Sequence, residues 1–76
     1  MEERLKEVMA EVLNVDAGSI DASTSRDNTA AWDSLGHINL VTALEQEFGF
    51  SFEVEEIESM MSFEDVVRVL DTKLAQ

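Results

Sequence analysis

Apolar residues recur at the three- and four-residue spacing of an amphipathic helix in three segments of the chain, and this pattern constrains the fold most. The first segment carries the stripe Leu5, Val8, Met9, Val12 and Leu13. The last segment carries the stripe Phe63, Val66, Val67, Leu70 and Leu74. Between them, a middle helix is predicted from about Asp33 to Phe48, with Gly49 as a left-handed C-cap. Its inward stripe is predicted to be Leu35, Ile38, Val41, Leu44 and Phe48.

The two connections between these helices differ in kind. Residues 14–32 form a long aperiodic link, which we expect Ile20 and Trp32 to pin, since such links are uncommon in small domains. At the start of residues 50–61, apolar and polar residues alternate as in a strand, but no second strand is available to pair with it. We therefore predict an extended segment followed by a helix of one to two turns.

The predicted fold class is all-α: a small helical bundle with a long first loop and a short third helix. A length of 76 residues allows one domain, so residues 1–76 are expected to form a single domain. No apolar run exceeds three residues, so no transmembrane helix is expected.

The charge of the chain limits its partners. It has 17 Asp and Glu against 5 Lys and Arg, a formal net charge of −12. Nucleic acid and anionic membranes would repel this surface, so the charge argues against both and favours basic protein surfaces. The chain has no cysteine, which excludes disulfides and thiolate metal sites and suits the cytoplasm.

Catalytic and metal chemistry have little support in the sequence. His37 is the single histidine and lies three residues after Ser34, so a Ser–His pair of a small hydrolase is geometrically conceivable. We interpret His37 instead as an exposed or half-buried residue, because so small a bundle offers no evident oxyanion pocket. One histidine cannot form a zinc site, and the acidic residues of 53–58 lack the spacing of an EF-hand loop. We expect neither enzymatic activity nor a metal site.

Asp33 and Ser34 stand where the long link meets the middle helix. Asp33 can cap the helix, and the unpaired N–H groups and positive dipole end would favour a phosphate on Ser34. Leu35 and Ile38 are predicted to turn inward, which leaves Ser34 facing solvent. Taken alone, this short motif is better explained as helix capping.

The run DSLGHINLVTALEQEFGFSFEVEEI, residues 33–57, resembles acyl carrier proteins, and the order of elements is similar over the whole chain. This resemblance implies a four-helix up-down bundle. It also implies a phosphopantetheine cofactor joined to Ser34 through a phosphodiester, with Asp33 and Leu35 as the adjoining motif residues. A separate phosphopantetheinyl transferase would modify Ser34. The thiol of the arm would then hold an acyl cargo as a thioester for acyl-loading and acyl-processing enzymes, and we expect a monomer.

The acidic residues are unevenly distributed. Ten Asp and Glu and no Lys or Arg lie between Arg26 and Arg68. Charge complementarity speeds encounter with partners, so we expect part of this region to meet basic docking surfaces. The residues predicted to do so are Glu45, Glu47, Glu53, Glu55, Glu56 and Glu58.

Three residues depart from the carriers of fatty acid synthesis. Gly36 and Asn39 are expected on the exposed side of the middle helix, where those carriers usually have acidic residues. Trp32 precedes the motif where they usually have a small residue. These departures suggest a specialised rather than a housekeeping fatty acid pathway. An aminoacyl or D-alanyl carrier is the alternative within the class, and an acidic adaptor whose Ser34 is only a cap is the alternative from another class.

Overall fold

The computed structural model describes residues 1–75 and contains four α-helices in the predicted order. They are α1 (Glu2–Leu13), α2 (Ser34–Phe48), α3 (Val54–Ser59) and α4 (Phe63–Leu74). A single 3-10 turn, Ala17–Ser19, lies in the loop after α1. No strand longer than an isolated bridge occurs within residues 1–75. The predicted fold class is confirmed: an all-α four-helix bundle with a long first loop and a short third helix.

The outer helices bury most of the stripes predicted for them. On α1, Val12 is half-buried, while the other four predicted residues are in the core. On α4 the buried face is rotated slightly, so that Val69 is buried, Val67 is half-buried and Leu74 is exposed. The prediction that Leu74 is a core residue is therefore wrong. The face actually buried on α4 consists of Phe63, Val66, Val69 and Leu70.

The inward face of α2 differs from the predicted one. Leu35 and Ile38 are 68% and 61% exposed, so the prediction that they turn inward is wrong. The helix carries two overlapping apolar stripes, and packing against α1 and α4 selects the other one. That face has the regular three- and four-residue spacing of a buried helix surface and consists of His37, Leu40, Val41 and Leu44.

The long link between α1 and α2 is pinned as predicted. Ile20 and Trp32 are both buried in the core, and Trp32 is only 1% exposed. The link also pairs with the segment before α4. The Arg26 N–H donates to the Met61 carbonyl and the Phe63 N–H donates to the Thr24 carbonyl, both over 2.9 Å. These contacts fix the loop in place and with it the approach of the chain to α2.

The connection between α2 and α4 is an extended segment followed by a short helix, as predicted. Gly49 ends α2 with φ 76°, a left-handed conformation that favours glycine. The Phe52 N–H then donates to the Glu45 carboxylate over 2.9 Å, which holds the extended segment against α2. The six-residue α3 has no fully buried side chain. Its position depends on the packing of the half-buried Ile57 and of the following Met60 on the core, together with polar contacts to its neighbours.

Candidate functional site

The first turn of α2 is built around Asp33 and Ser34. Asp33 is the N-cap residue, and its Oδ1 atom accepts the Gly36 N–H over 2.8 Å. Ser34 is the first residue of the helix and its side chain is exposed. The positive end of the helix dipole and the remaining free N–H groups of this turn lie beside its hydroxyl, so the position can accommodate a phosphate.

The side chains next to Ser34 are apolar and solvent-exposed. Leu35 follows Ser34 directly and Ile38 lies one turn further along α2. Apolar side chains that point into water beside a modifiable serine provide a contact surface for a protein that binds there. The helical spacing had predicted both side chains to lie in the core, so this surface was not predicted from the sequence.

Gly36 packs against the loop rather than facing solvent. A Cβ atom at this position would lie 2.3 Å from the Ala31 carbonyl oxygen and 3.2 Å from a methyl group of Leu13. The prediction that Gly36 stands on the exposed side of the helix is therefore wrong, since the residue is half-buried by this close approach. Asn39, in contrast, is exposed as predicted.

His37 is buried, at 6% exposure, so its interpretation as an exposed or half-buried residue is wrong. Its Nδ1 atom accepts the indole N–H of Trp32 over 2.9 Å, and its Nε2 atom lies 2.8 Å from the Ile57 carbonyl oxygen. Both ring nitrogens are therefore occupied, and neither can accept a proton from Ser34. The geometry excludes the Ser34–His37 pair of a small hydrolase.

Three of the six acidic residues predicted to contact partners use their carboxylates within the protein. Glu45 accepts the Phe52 N–H. Glu47 forms two hydrogen bonds with the Arg4 guanidinium, of 2.7 and 2.8 Å, and this pairing holds the pKa of Glu47 below its usual range. The Glu56 carboxylate accepts the Glu53 N–H and lies 2.9 Å from the Lys73 ammonium group. Both contacts lower the pKa of Glu56, the hydrogen bond from Glu53 more strongly.

The remaining three, Glu53, Glu55 and Glu58, are exposed on and beside α3. Their carboxylates form no ion pair within residues 1–75. In the part of the chain that the structure describes, no group of three or more His, Cys, Asp or Glu residues could hold a metal ion. No helix of that part is long and apolar enough to cross a membrane.

The fold is thus a small helical bundle that presents an exposed serine at a capped helix start. The comparisons with known proteins define the class of domain. The sequence matches the family described as "Phosphopantetheine attachment site" over residues 3–70. The chain therefore belongs to the acyl carrier protein family, whose members carry covalently bound phosphopantetheine and are carriers rather than enzymes.

Two curated relatives named acyl carrier protein illustrate the similarity in sequence. The one from Petrotoga mobilis is 35% identical over 72 residues, which cover 95% of this chain and 85% of the relative. The one from Thermosynechococcus vestitus is 36% identical over 75 residues, which cover 96% of this chain and 90% of the relative.

Two solution structures of holo acyl carrier proteins show the same fold. The structure from Geobacter metallireducens has a TM-score of 0.86 and 30% identity, covering 97% of this chain and 85% of that one. The structure from Nitrosomonas europaea has a TM-score of 0.85 and 26% identity, covering 99% of this chain and 96% of that one.

Proposed function

We propose that Ser34 is the residue that carries phosphopantetheine, within a single carrier domain formed by residues 1–76. The observation that supports this most is the exposed Ser34 side chain at the first position of α2. Asp33 supports the site by capping the helix, and the exposed Leu35 offers the transferase an apolar contact. When attached, the group supplies a thiol that holds the cargo as a thioester.

The protein itself contributes a place of attachment and surfaces for recognition. The ring of His37 is engaged by Trp32 and Ile57 and does not act as a base for Ser34, which supports modification by a separate phosphopantetheinyl transferase. A tethered cargo then meets each acyl-handling enzyme at a high effective concentration. No chemical step is assigned to a side chain of the carrier.

Basic surfaces on the transferase and on acyl-loading and acyl-processing enzymes are the proposed docking partners. The exposed Glu53, Glu55 and Glu58 support this, because their carboxylates lack ion-pair partners within residues 1–75. Glu45, Glu47 and Glu56 add to the acidic field while their oxygens are engaged internally. We further propose that the protein acts as a cytoplasmic monomer, in keeping with its charge of −12.

A specialised rather than a housekeeping fatty acid pathway is the finer part of the proposal. It is supported by the lack of charge on the first part of α2. No Asp, Glu, Lys or Arg occurs between Ser34 and Leu44, and Asn39 faces solvent there. Gly36 and Trp32 do not indicate the pathway, because the packing of Gly36 against Ala31 and the burial of Trp32 in the core explain why these residue types occur there. The alternative cargo is an aminoacyl or D-alanyl group on the same arm.

Intact mass tests the attachment site. Incubated with coenzyme A and a broad-specificity phosphopantetheinyl transferase, the wild-type protein should gain one phosphopantetheine. Ser34→Ala should gain none and remain folded, because Asp33 still caps α2. Ser51→Ala, which removes another exposed serine, is the matched control and should be modified fully. A wild-type mass that never changes would favour the acidic adaptor.

A further inference from the structure

His37 bridges Trp32 and Ile57 through hydrogen bonds of its two ring nitrogens. The indole N–H of Trp32 can only donate a hydrogen bond, so Nδ1 of His37 must be the acceptor. The Ile57 carbonyl can only accept, so Nε2 must carry the proton and donate to it. A neutral ring with its proton on Nε2 is the one form that satisfies both contacts.

This bridge connects three parts of the chain around Ser34. Trp32 lies two residues before Ser34, at the end of the long loop, and His37 lies one turn after it on α2. Ile57 lies in the last turn of α3, and its carbonyl accepts the ring N–H of His37 over 2.8 Å in addition to a long hydrogen bond of 3.4 Å from the Met60 N–H.

The bridge matters most for α3, because this helix has six residues and no fully buried side chain. The Glu56–Lys73 ion pair ties it to α4, whereas the His37–Ile57 hydrogen bond ties it to α2. If the hydrogen bond to Ile57 is lost, the ion pair with Lys73 and the packing of Ile57 and Met60 on the core remain. However, α3 then loses its hydrogen bond to the helix that carries Ser34, and its exposed residues are held less firmly relative to the serine.

We propose that His37 is a positioning residue for the modification of Ser34. By holding the end of α3 against the first turns of α2, it sets the surface that the transferase contacts around the serine. This inference rests on the proposed function of Ser34. It separates the role of Nε2, which positions α3, from that of Nδ1, which satisfies the buried indole of Trp32.

Two substitutions divide the two roles of the ring. His37→Gln places an amide N–H near the position of Nε2 and can still reach Ile57. His37→Asn places an oxygen near the position of Nδ1 for Trp32 but is too short to reach α3. Both remove one buried hydrogen bond, so a general loss of stability affects both variants. If circular dichroism shows that His37→Asn does not fold, His37→Leu replaces it, because leucine fills much of the volume of the ring and forms neither hydrogen bond.

The experiment measures the steady-state kinetics of phosphopantetheine transfer from coenzyme A to each folded variant, well below its melting temperature. We expect His37→Asn to raise the KM for the carrier about three- to tenfold with little change in kcat, and His37→Gln to stay near wild type. Hydrogen exchange should be faster at residues 57–60 in His37→Asn than in His37→Gln.

Equal KM values for the two variants, or an effect confined to kcat, would overturn the positioning role while the proposed function stands. Equal hydrogen exchange at residues 57–60 in the two variants would overturn it as well. A wild-type protein that is not modified at Ser34 would instead defeat the proposed function, and with it the inference. The two failures are therefore distinguished by the wild-type mass alone.

Discussion

The carbonyl oxygen of Ala31 approaches Gly36 so closely that a Cβ atom on the glycine would lie only 2.3 Å from it. The last residues of the long loop therefore pack directly on the first turn of α2. The same turn carries the Asp33 cap and the exposed Ser34. A glycine that would weaken an isolated helix is here the residue that lets the loop reach the site.

Gly36→Ala should destabilise the protein although alanine is the better helix former. Alanine gains about 1 kcal/mol of helix propensity, but forcing a methyl group against a backbone oxygen costs about 1–3 kcal/mol. We expect a net loss of up to about 2 kcal/mol in the free energy of unfolding, measured by chemical denaturation. Asn39→Ala, at an exposed position on the same helix, should be neutral or slightly stabilising. A Gly36→Ala variant that is about 1 kcal/mol more stable than wild type would show that the loop moves away at no cost.

Leu35→Ala should separate recognition from stability. Leu35 is 68% exposed, so its truncation should change the free energy of unfolding by less than about 0.5 kcal/mol. Leu40→Ala, one face away on the same helix, should cost about 2–5 kcal/mol because Leu40 is buried. We expect Leu35→Ala to slow phosphopantetheine transfer nonetheless. A Leu35 variant with a large loss of stability would contradict the orientation of α2.

Glu56→Gln tests the ion pair that ties α3 to α4. The Glu53 N–H and the Lys73 ammonium group hold the pKa of Glu56 below its usual range, so the charged form is favoured by folding. Its contribution is present above the pKa of the unfolded chain and is lost as pH falls through the lower pKa of the folded protein. The melting temperature of Glu56→Gln should therefore lie below that of wild type at pH 7, and the difference should shrink as pH falls below the usual pKa of a glutamate and vanish only below the lowered pKa of the folded protein.

Glu58→Gln is the matched control for that measurement. It removes the same charge from an exposed residue that forms no ion pair within residues 1–75. Neutralising one of many acidic groups reduces self-repulsion in both variants, so the contacts of the Glu56 carboxylate with Lys73 and with the Glu53 N–H distinguish them. If the two variants melt alike at neutral pH, the Glu56–Lys73 pair does not stabilise α3.

Salt should raise the stability of the protein and slow its association with the transferase. At a net charge of −12, self-repulsion opposes folding. Raising the ionic strength from about 0.01 to 0.15 M shortens the screening length from roughly 30 to 8 Å. The melting temperature should rise over this range, while the association rate with the transferase, measured by stopped flow, should fall. An association rate that ignores salt would remove the role proposed for the exposed acidic residues.

The pathway proposal can be tested at Asn39 alone, because Gly36 cannot accept a side chain without moving Ala31. Asn39→Glu places a carboxylate on the uncharged first part of α2, and a single exposed ion pair contributes about 0.2–1 kcal/mol. Once modified, the variant should be loaded with malonyl groups by the fatty-acid-pathway malonyl transferase up to several-fold faster than wild type. A wild-type rate equal to that of a housekeeping carrier would end the argument for a specialised pathway.

Much of the fold could be predicted from the sequence because it depends on local patterns. The helical spacing of α1 and α4, the cap at Asp33 and the left-handed Gly49 are properties of short segments. The burial of Ile20 and Trp32 followed from the need to pin a long loop. The position of Ser34 at a helix start likewise required only the residues around it, together with the resemblance of the chain to acyl carrier proteins.

The orientation of α2 was decided only by tertiary structure. Its sequence contains two apolar stripes that share Val41 and Leu44, and spacing alone cannot choose between Leu35 with Ile38 and His37 with Leu40 as the rest of the buried face. The choice depends on His37, a polar residue that can be buried only because Trp32, five residues earlier, and Ile57, twenty residues later, supply its hydrogen-bond partners. The close approach of Ala31 to Gly36 could not be predicted from the sequence either, because the Ala31 carbonyl occupies the space that a side chain at position 36 would need. Local patterns therefore determined which helices form, and long-range hydrogen bonding and packing determined which faces they present to a partner.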